Sequence, residues 1–164
     1  MSQAMADLFR SISTGVYVVG VANAVRSNAF TAAWVMPVSF QPLLLAVSIN
    51  PQHSSYALLK QGSGFSVNVL SAEQLTLAAH FGSSSQHDKL TAVDWRPGHT
   101  GAPLLTEVLA CFECETVADY PAGDHRLVLG RVIDGRVLQA EALPLAYRDT
   151  GNMDGAAAIY PSEF

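Results

Sequence analysis

No stretch constrains this chain more than "LLLAVSI", Leu43 to Ile49. A short continuous apolar run of this kind is the pattern of a strand buried on both faces, and it makes this a central strand. The chain leading into it is harder to read, because Asn28, Thr31, Trp34 and Ser39 stand there among alanines and a proline. Two readings fit. Either a pair of strands is joined by a Pro-containing bend, or the backbone between Thr31 and Ser39 is shaped to lie against a flat ligand. Small residues permit that close approach, and a Trp with a polar edge is costly to hide without a partner.

The remaining runs supply neighbours for that strand. Met5, Leu8, Phe9 and Ile12 fall at i, i+3, i+4, i+7, which predicts a short amphipathic helix ended by Ser13 or Thr14 and Gly15. "GVYVVGVA" (15–22) predicts a first strand, residues 29–36 a second and 43–49 the central one. Ser54 or Ser55 can cap a short helix carrying Tyr56, Leu58 and Leu59. "GFSVNVL" (64–70) alternates and predicts a half-buried strand. Ser71 with Gln74 is a capping-box pattern opening a helix to about Phe81. Residues 82–103 show little periodicity, and a loop that long is usually functional. Strands are predicted near 104–118, 125–138 and 143–148. The sum is one mainly β, antiparallel domain, a small barrel with a few short flanking helices.

Composition narrows the function. With 49% apolar and 14% charged residues and a net charge of −5, the 164-residue chain is greasy, and it should bury part of its surface against a second copy. It has no Lys/Arg cluster, which argues against nucleic acid. The uncharged stretch from Ser27 to Leu59 is broken by prolines and does not read as a membrane span. No leader is evident at the start, so the cytoplasm is expected. Cys111 and Cys114 form a C-x-x-C, but in a strand-like context they point to opposite faces and read as separate reduced thiols. The histidines, His53, His80, His87, His99 and His125, are too scattered to suggest a metal-ligand set. No dinucleotide, phosphate-loop or nucleophile-elbow motif is present.

In order along the chain stand "TGVYVVG", "TAAWVMPVSFQPLLLAVSIN", "SSYALLKQGSGFSVNVLS", "HFGSSSQHDKL" and "GAPLL…LACFECETV…GDHRLVLGRV". This series, across residues 10–148, resembles the flavin reductase-like family, which includes flavoredoxins and the reductase components of two-component monooxygenases. The resemblance implies an FMN-binding split β-barrel, antiparallel and Greek-key-like, with residues 149–164 as an unplaced tail. It implies bound FMN (or FAD), NAD(P)H as reductant, a homodimer, and a flavin-dependent monooxygenase as a recipient of reduced flavin. An electron carrier of the same fold that does not use NAD(P)H, or a binder of haem or another planar ligand, are the rival readings.

The resemblance also implies site residues. The backbone from Thr31 through Ala32, Ala33, Trp34 and Val35 would lie along the isoalloxazine edge, its N–H groups stabilising the anionic reduced flavin. Ser48, Ile49, Asn50, His53, Ser54, Ser55 and Asn68 would contact the ribityl chain and phosphate. Ser84, Ser85, Asp88 and Lys89 match a Ser-rich, Asp-Lys element, in which Lys89 would place a positive charge on phosphate. His125 would sit beside the ring, orienting nicotinamide or steadying the reduced flavin. The loop departs from the family's usual pattern, which has a Gly after the Ser and a Phe after the Lys.

Overall fold

Each apolar run becomes an element whose position follows from what it must bury. The structure, a computed structural model, describes residues 2–84 and 88–164. Its elements are α1 (Ser2–Arg10), β1 (Tyr17–Ala22), β2 (Ser27–Ala32), β3 (Val35–Ser39), β4 (Leu44–Ile49), α2 (Ser54–Gln61), β5 (Gly64–Val69) and α3 (Leu75–Gly82). Then come β6 (Trp95–Pro97), β7 (Pro103–Leu105), β8 (Ala110–Ala122) and β9 (His125–Val137). Among the described residues, seven strands form one sheet in the order β2-β1-β5-β8-β9-β4-β3, while β6 and β7 pair as a separate hairpin. Every pairing is antiparallel.

The connectivity closes the sheet. β2 and β3 occupy opposite rims, yet only Ala33 and Trp34 separate them in the chain. Three Cα–Cα steps of 3.8 Å span about 11 Å at most, so the sheet must curl until its rims lie side by side. One core cluster accordingly unites Phe30 of β2 with Val35 of β3, Val47 of β4, Val67 of β5 and Val128 of β9. The result is a barrel whose hydrogen-bond ladder stops at one seam, where the chain itself crosses. The antiparallel barrel expected from the sequence is the fold observed. The single strand expected over 29–36 is instead two strands on opposite rims, because alternation runs on through the crossing and hides it.

A second cluster, with Val16, Leu70, Phe81, Leu105 and Leu145 among its members, seats α3 and the β6–β7 hairpin outside the barrel. Other expectations need correction. The 82–103 segment is partly structured, with a 3₁₀ turn at Lys89–Ala92 followed by β6. Residues 104–118 divide into β7 and the start of β8. The strand expected at 143–148 is reduced to the isolated bridges Ser71↔Pro144 and Gly15↔Ala146. Gln74 Oε1 accepts from the Ser71 N–H at 2.9 Å, half of a capping box, but α3 begins only at Leu75. Tyr160 of the tail stacks on Phe9 of its own chain, ring centroids 4.9 Å apart. No helix among the described residues is long and apolar enough to cross a membrane.

Candidate functional site

The seam creates the site. Ala33 and Trp34 belong to neither rim strand, and among the described residues their N–H groups find no backbone acceptor. The Trp34 carbonyl is held by the Ser48 N–H at 3.0 Å. The crossing is thus fixed on its acceptor side and open on its donor side. It lines a cleft of about 210 Å³ together with Thr31, Ala32, Ser48, Ile49 and Asn50. His53 and His125 complete the walls. Thr31 contributes mainly its backbone and methyl, since its hydroxyl donates to the Ala78 carbonyl at 2.6 Å.

Both histidines are held by defined contacts. His53 precedes α2 and caps it, its Nδ1 accepting from the Ser55 N–H at 3.1 Å. In the neutral ring the proton must then sit on Nε2, which makes that nitrogen a donor. The ring packs against Phe30 at 4.8 Å. Desolvation, and secondarily the Lys89 charge, lower the His53 pKa below its ordinary value and favour the neutral form. His125 opens β9 with its Nδ1 2.7 Å from the Asp124 carboxylate and its ring 5.0 Å from Trp34. Trp34 is 46% exposed, so Trp34 and His125 form an accessible aromatic shelf at the cleft mouth.

A larger cleft of about 710 Å³ adjoins this one along β2 and at His53–Ser54. Ser54, Ser84 and Asp88, which the resemblance named, lie in its wall, and Asp88 also accepts from the Leu90 N–H at 3.0 Å. Arg26 and Asn28 line it too, and sequence reasoning did not select them as site residues. The available signal was Arg26, one of nine basic residues, in a turn beside the ambiguous segment.

Four expected residues are placed differently. Val35 turns its side chain into the barrel core. Ser55 is wholly buried, its hydroxyl accepting from the Asn28 amide at 2.9 Å. Asn68 is also wholly buried: its amide donates to the Val18 carbonyl at 3.0 Å and its oxygen accepts from the Leu105 N–H at 2.9 Å. Neither Ser55 nor Asn68 has surface left to offer a ligand; both satisfy the interior. Lys89 is folded inward, its Nζ donating to the Phe81 carbonyl at 3.2 Å at the end of α3, and burial lowers its pKa. Ser85 lies outside the described residues.

A family profile described as flavin reductase like domain matches residues 9–156. The chain belongs to the flavin reductase-like family. It is 36% identical over 131 residues to a probable flavin reductase of Rhizobium meliloti, covering 79% of this chain and 42% of that protein. The chain therefore spans less than half the length of that relative. It is 34% identical to the NADH-dependent FMN reductase AsuE2 of Streptomyces nodosus subsp. asukaensis, covering 83% of this chain and 75% of the relative. Among solved structures, it is similar to BorF, the flavin reductase component of a bacterial two-component tryptophan halogenase. That match has a TM-score of 0.76 and 30% identity, covering 88% of this chain and 98% of that one.

Proposed function

We propose that this chain is an NAD(P)H:flavin oxidoreductase with FMN as its favoured flavin. The observation that carries the reading is the seam, where Ala33 and Trp34 line a narrow cleft with small neighbours and their N–H groups find no backbone acceptor among the described residues. A flat heteroaromatic edge rich in acceptors suits that arrangement, so the residues present fit a flavin ring. The adjoining cleft suits the remainder of FMN: Ser54, Ser84 and Asn28 offer neutral donors, and Arg26 a charged one. Lys89 stands behind the wall, close enough that its charge acts on His53.

Bound flavin supplies the capacity to accept a hydride and pass electrons on. The chain's own part is binding and orientation. The Ala33 and Trp34 N–H groups would serve as donors to the ring edge, on a crossing that the Ser48 to Trp34 bond anchors at its far side. The neutral His53 offers an Nε2 proton as a donor in the cleft wall. Trp34 and His125 provide the shelf on which a nicotinamide can stack.

Two assembly steps belong to this reading. Met36, Val38, Phe40 and Leu43 leave an apolar strip on and beyond β3, and a second copy covering it gives the homodimer. The similarity to the flavin reductase component of a two-component halogenase and to component B of a nitrilotriacetate monooxygenase supports a flavin-dependent monooxygenase as recipient of reduced flavin. Both cysteines are buried and free, which suits the reducing cytoplasm.

Anaerobic stopped-flow absorbance tests the function. NADH or NADPH should bleach the visible band of flavin bound to the chain at a saturable rate. If the flavin binds but neither nucleotide bleaches it, the chain is an electron carrier of this fold. If the purified protein shows a Soret band and no flavin maxima, it is a haem binder.

A further inference from the structure

The fold brings together three residues that the sequence scatters, far from the flavin cleft. Asp134 lies nine residues beyond His125 along β9, roughly 30 Å at the rise of an extended strand. It faces Glu113 across the β8–β9 ladder. The turn of the β6–β7 hairpin drops His99 onto the same spot. The His99 Nδ1 is 3.1 Å from Glu113 Oε2, and donor atoms of His99, Glu113 and Asp134 all lie within 4.8 Å of one another.

We propose that His99, Glu113 and Asp134 bind a divalent first-row transition ion, of which Zn²⁺ is the type, and that the ion staples the hairpin turn to the β8–β9 ribbon. Glu113 carries the argument beyond mere clustering. Its side chain is only 4% exposed, and a buried carboxylate needs a cationic partner. Among the described residues its sole ion-pair partner is His99, which is 70% exposed and charged only when protonated. The His99 N–H also donates to Oε1 at 2.6 Å, fixing the carboxylate with Oε2 turned to the imidazole. Bonds of 2.0–2.2 Å put neighbouring tetrahedral ligands about 3.4 Å apart, close to the His99–Glu113 spacing. Asp134 is partly exposed and can rotate inward to complete the set.

One imidazole with two carboxylates suits Zn²⁺ and its neighbours, not Mg²⁺, which prefers oxygen and retains its water. Three protein ligands leave a further position to solvent. Arg136 is the competing charge, but it is half exposed and its 3.6 Å contact to Asp134 is long, so it can swing away. Arg96, the other nearby cation, acts on Cys111 and forms no ion pair with the cluster among the described residues.

The test uses the full, tag-free, metal-stripped chain. Calorimetric titration should show one equivalent of Zn²⁺ bound, with a rise in melting temperature that Mg²⁺ does not reproduce. His99→Ala keeps the backbone bond to Glu113 and should still fold; it and Asp134→Asn should each weaken Zn²⁺ roughly ten- to a hundredfold. Flavin absorbance of both variants should stay near wild type, as should the metal-free melting temperature of Asp134→Asn; His99→Ala, which leaves Glu113 without its ion-pair partner, should melt lower without metal. Absence of stoichiometric binding overturns the proposal. So does wild-type affinity in the double variant, which would assign the ion to other histidines.

Discussion

At the scale of single residues, His53 and Arg26 carry the sharpest consequences. Because the folded His53 pKa lies below the ordinary 6.5, the unfolded chain takes up that proton first as pH falls. Its contribution to stability should be full above 6.5 and be lost as pH drops from 6.5 through the folded value. Urea midpoints measured from about pH 8 to about pH 5 should fall less steeply in His53→Gln, which has no ring to titrate. Arg26 is exposed on the larger cleft, and among the described residues its hydrogen bonds are those of a backbone turn with Asn23. Arg26→Ala should weaken FMN about tenfold, with riboflavin unchanged because it lacks the phosphate. Equal losses for both flavins would remove Arg26 from phosphate recognition. The residues that the family resemblance named from Thr31 to Trp34 and from Ser48 to Asn50 do gather in the wall of one cleft. Asn68 and Ser55 were misread because a polar residue inside a strand or helix looks the same in sequence whether it serves a ligand or a buried carbonyl.

Among elements, the β6–β7 hairpin shows what such a buried polar residue does. Asn68 of β5 bonds the Val18 carbonyl and the Leu105 N–H, joining β1 to the hairpin through its amide. Asn68→Leu should lower stability by about 1–3 kcal/mol for each group left unpaired. Urea denaturation would show this as a lower midpoint, while the spectrum of bound flavin stays unchanged. A shifted flavin spectrum at unchanged stability would instead return Asn68 to the cofactor. Strand existence was legible from alternation and β-branched content, as "GFSVNVL" illustrates. Strand position was not. Nothing in the period of residues 29–36 distinguishes one long strand from two that turn apart, since the side-chain alternation is local and rim placement is a property of the whole sheet.

For the molecule as a whole, composition pointed in a direction that the surface makes concrete. Phe40 is 96% exposed, beside Met36, Val38 and Leu43 on the strip proposed as the homodimer contact. Sedimentation velocity should therefore report a dimer at micromolar concentration, and Phe40→Asp should shift it toward monomer. A monomeric wild type with flavin bound would remove the strip from that role. The sequence carried the excess of apolar residues; only the fold shows that they gather within a few residues of the seam.

That seam has a further consequence for the chain's behaviour in a crowded solution. An open sheet exposes two rows of unpaired backbone groups, each a template on which another chain can add a strand. Here the link of Ala33 and Trp34 holds the end of β2 against the start of β3, so the two rims cannot part at the crossing to admit a strand between them. A few glycines inserted between them would leave every strand's own sequence intact and let the rims part. The shortness of the crossing thus acts as a safeguard against fibre growth as well as a frame for the cleft.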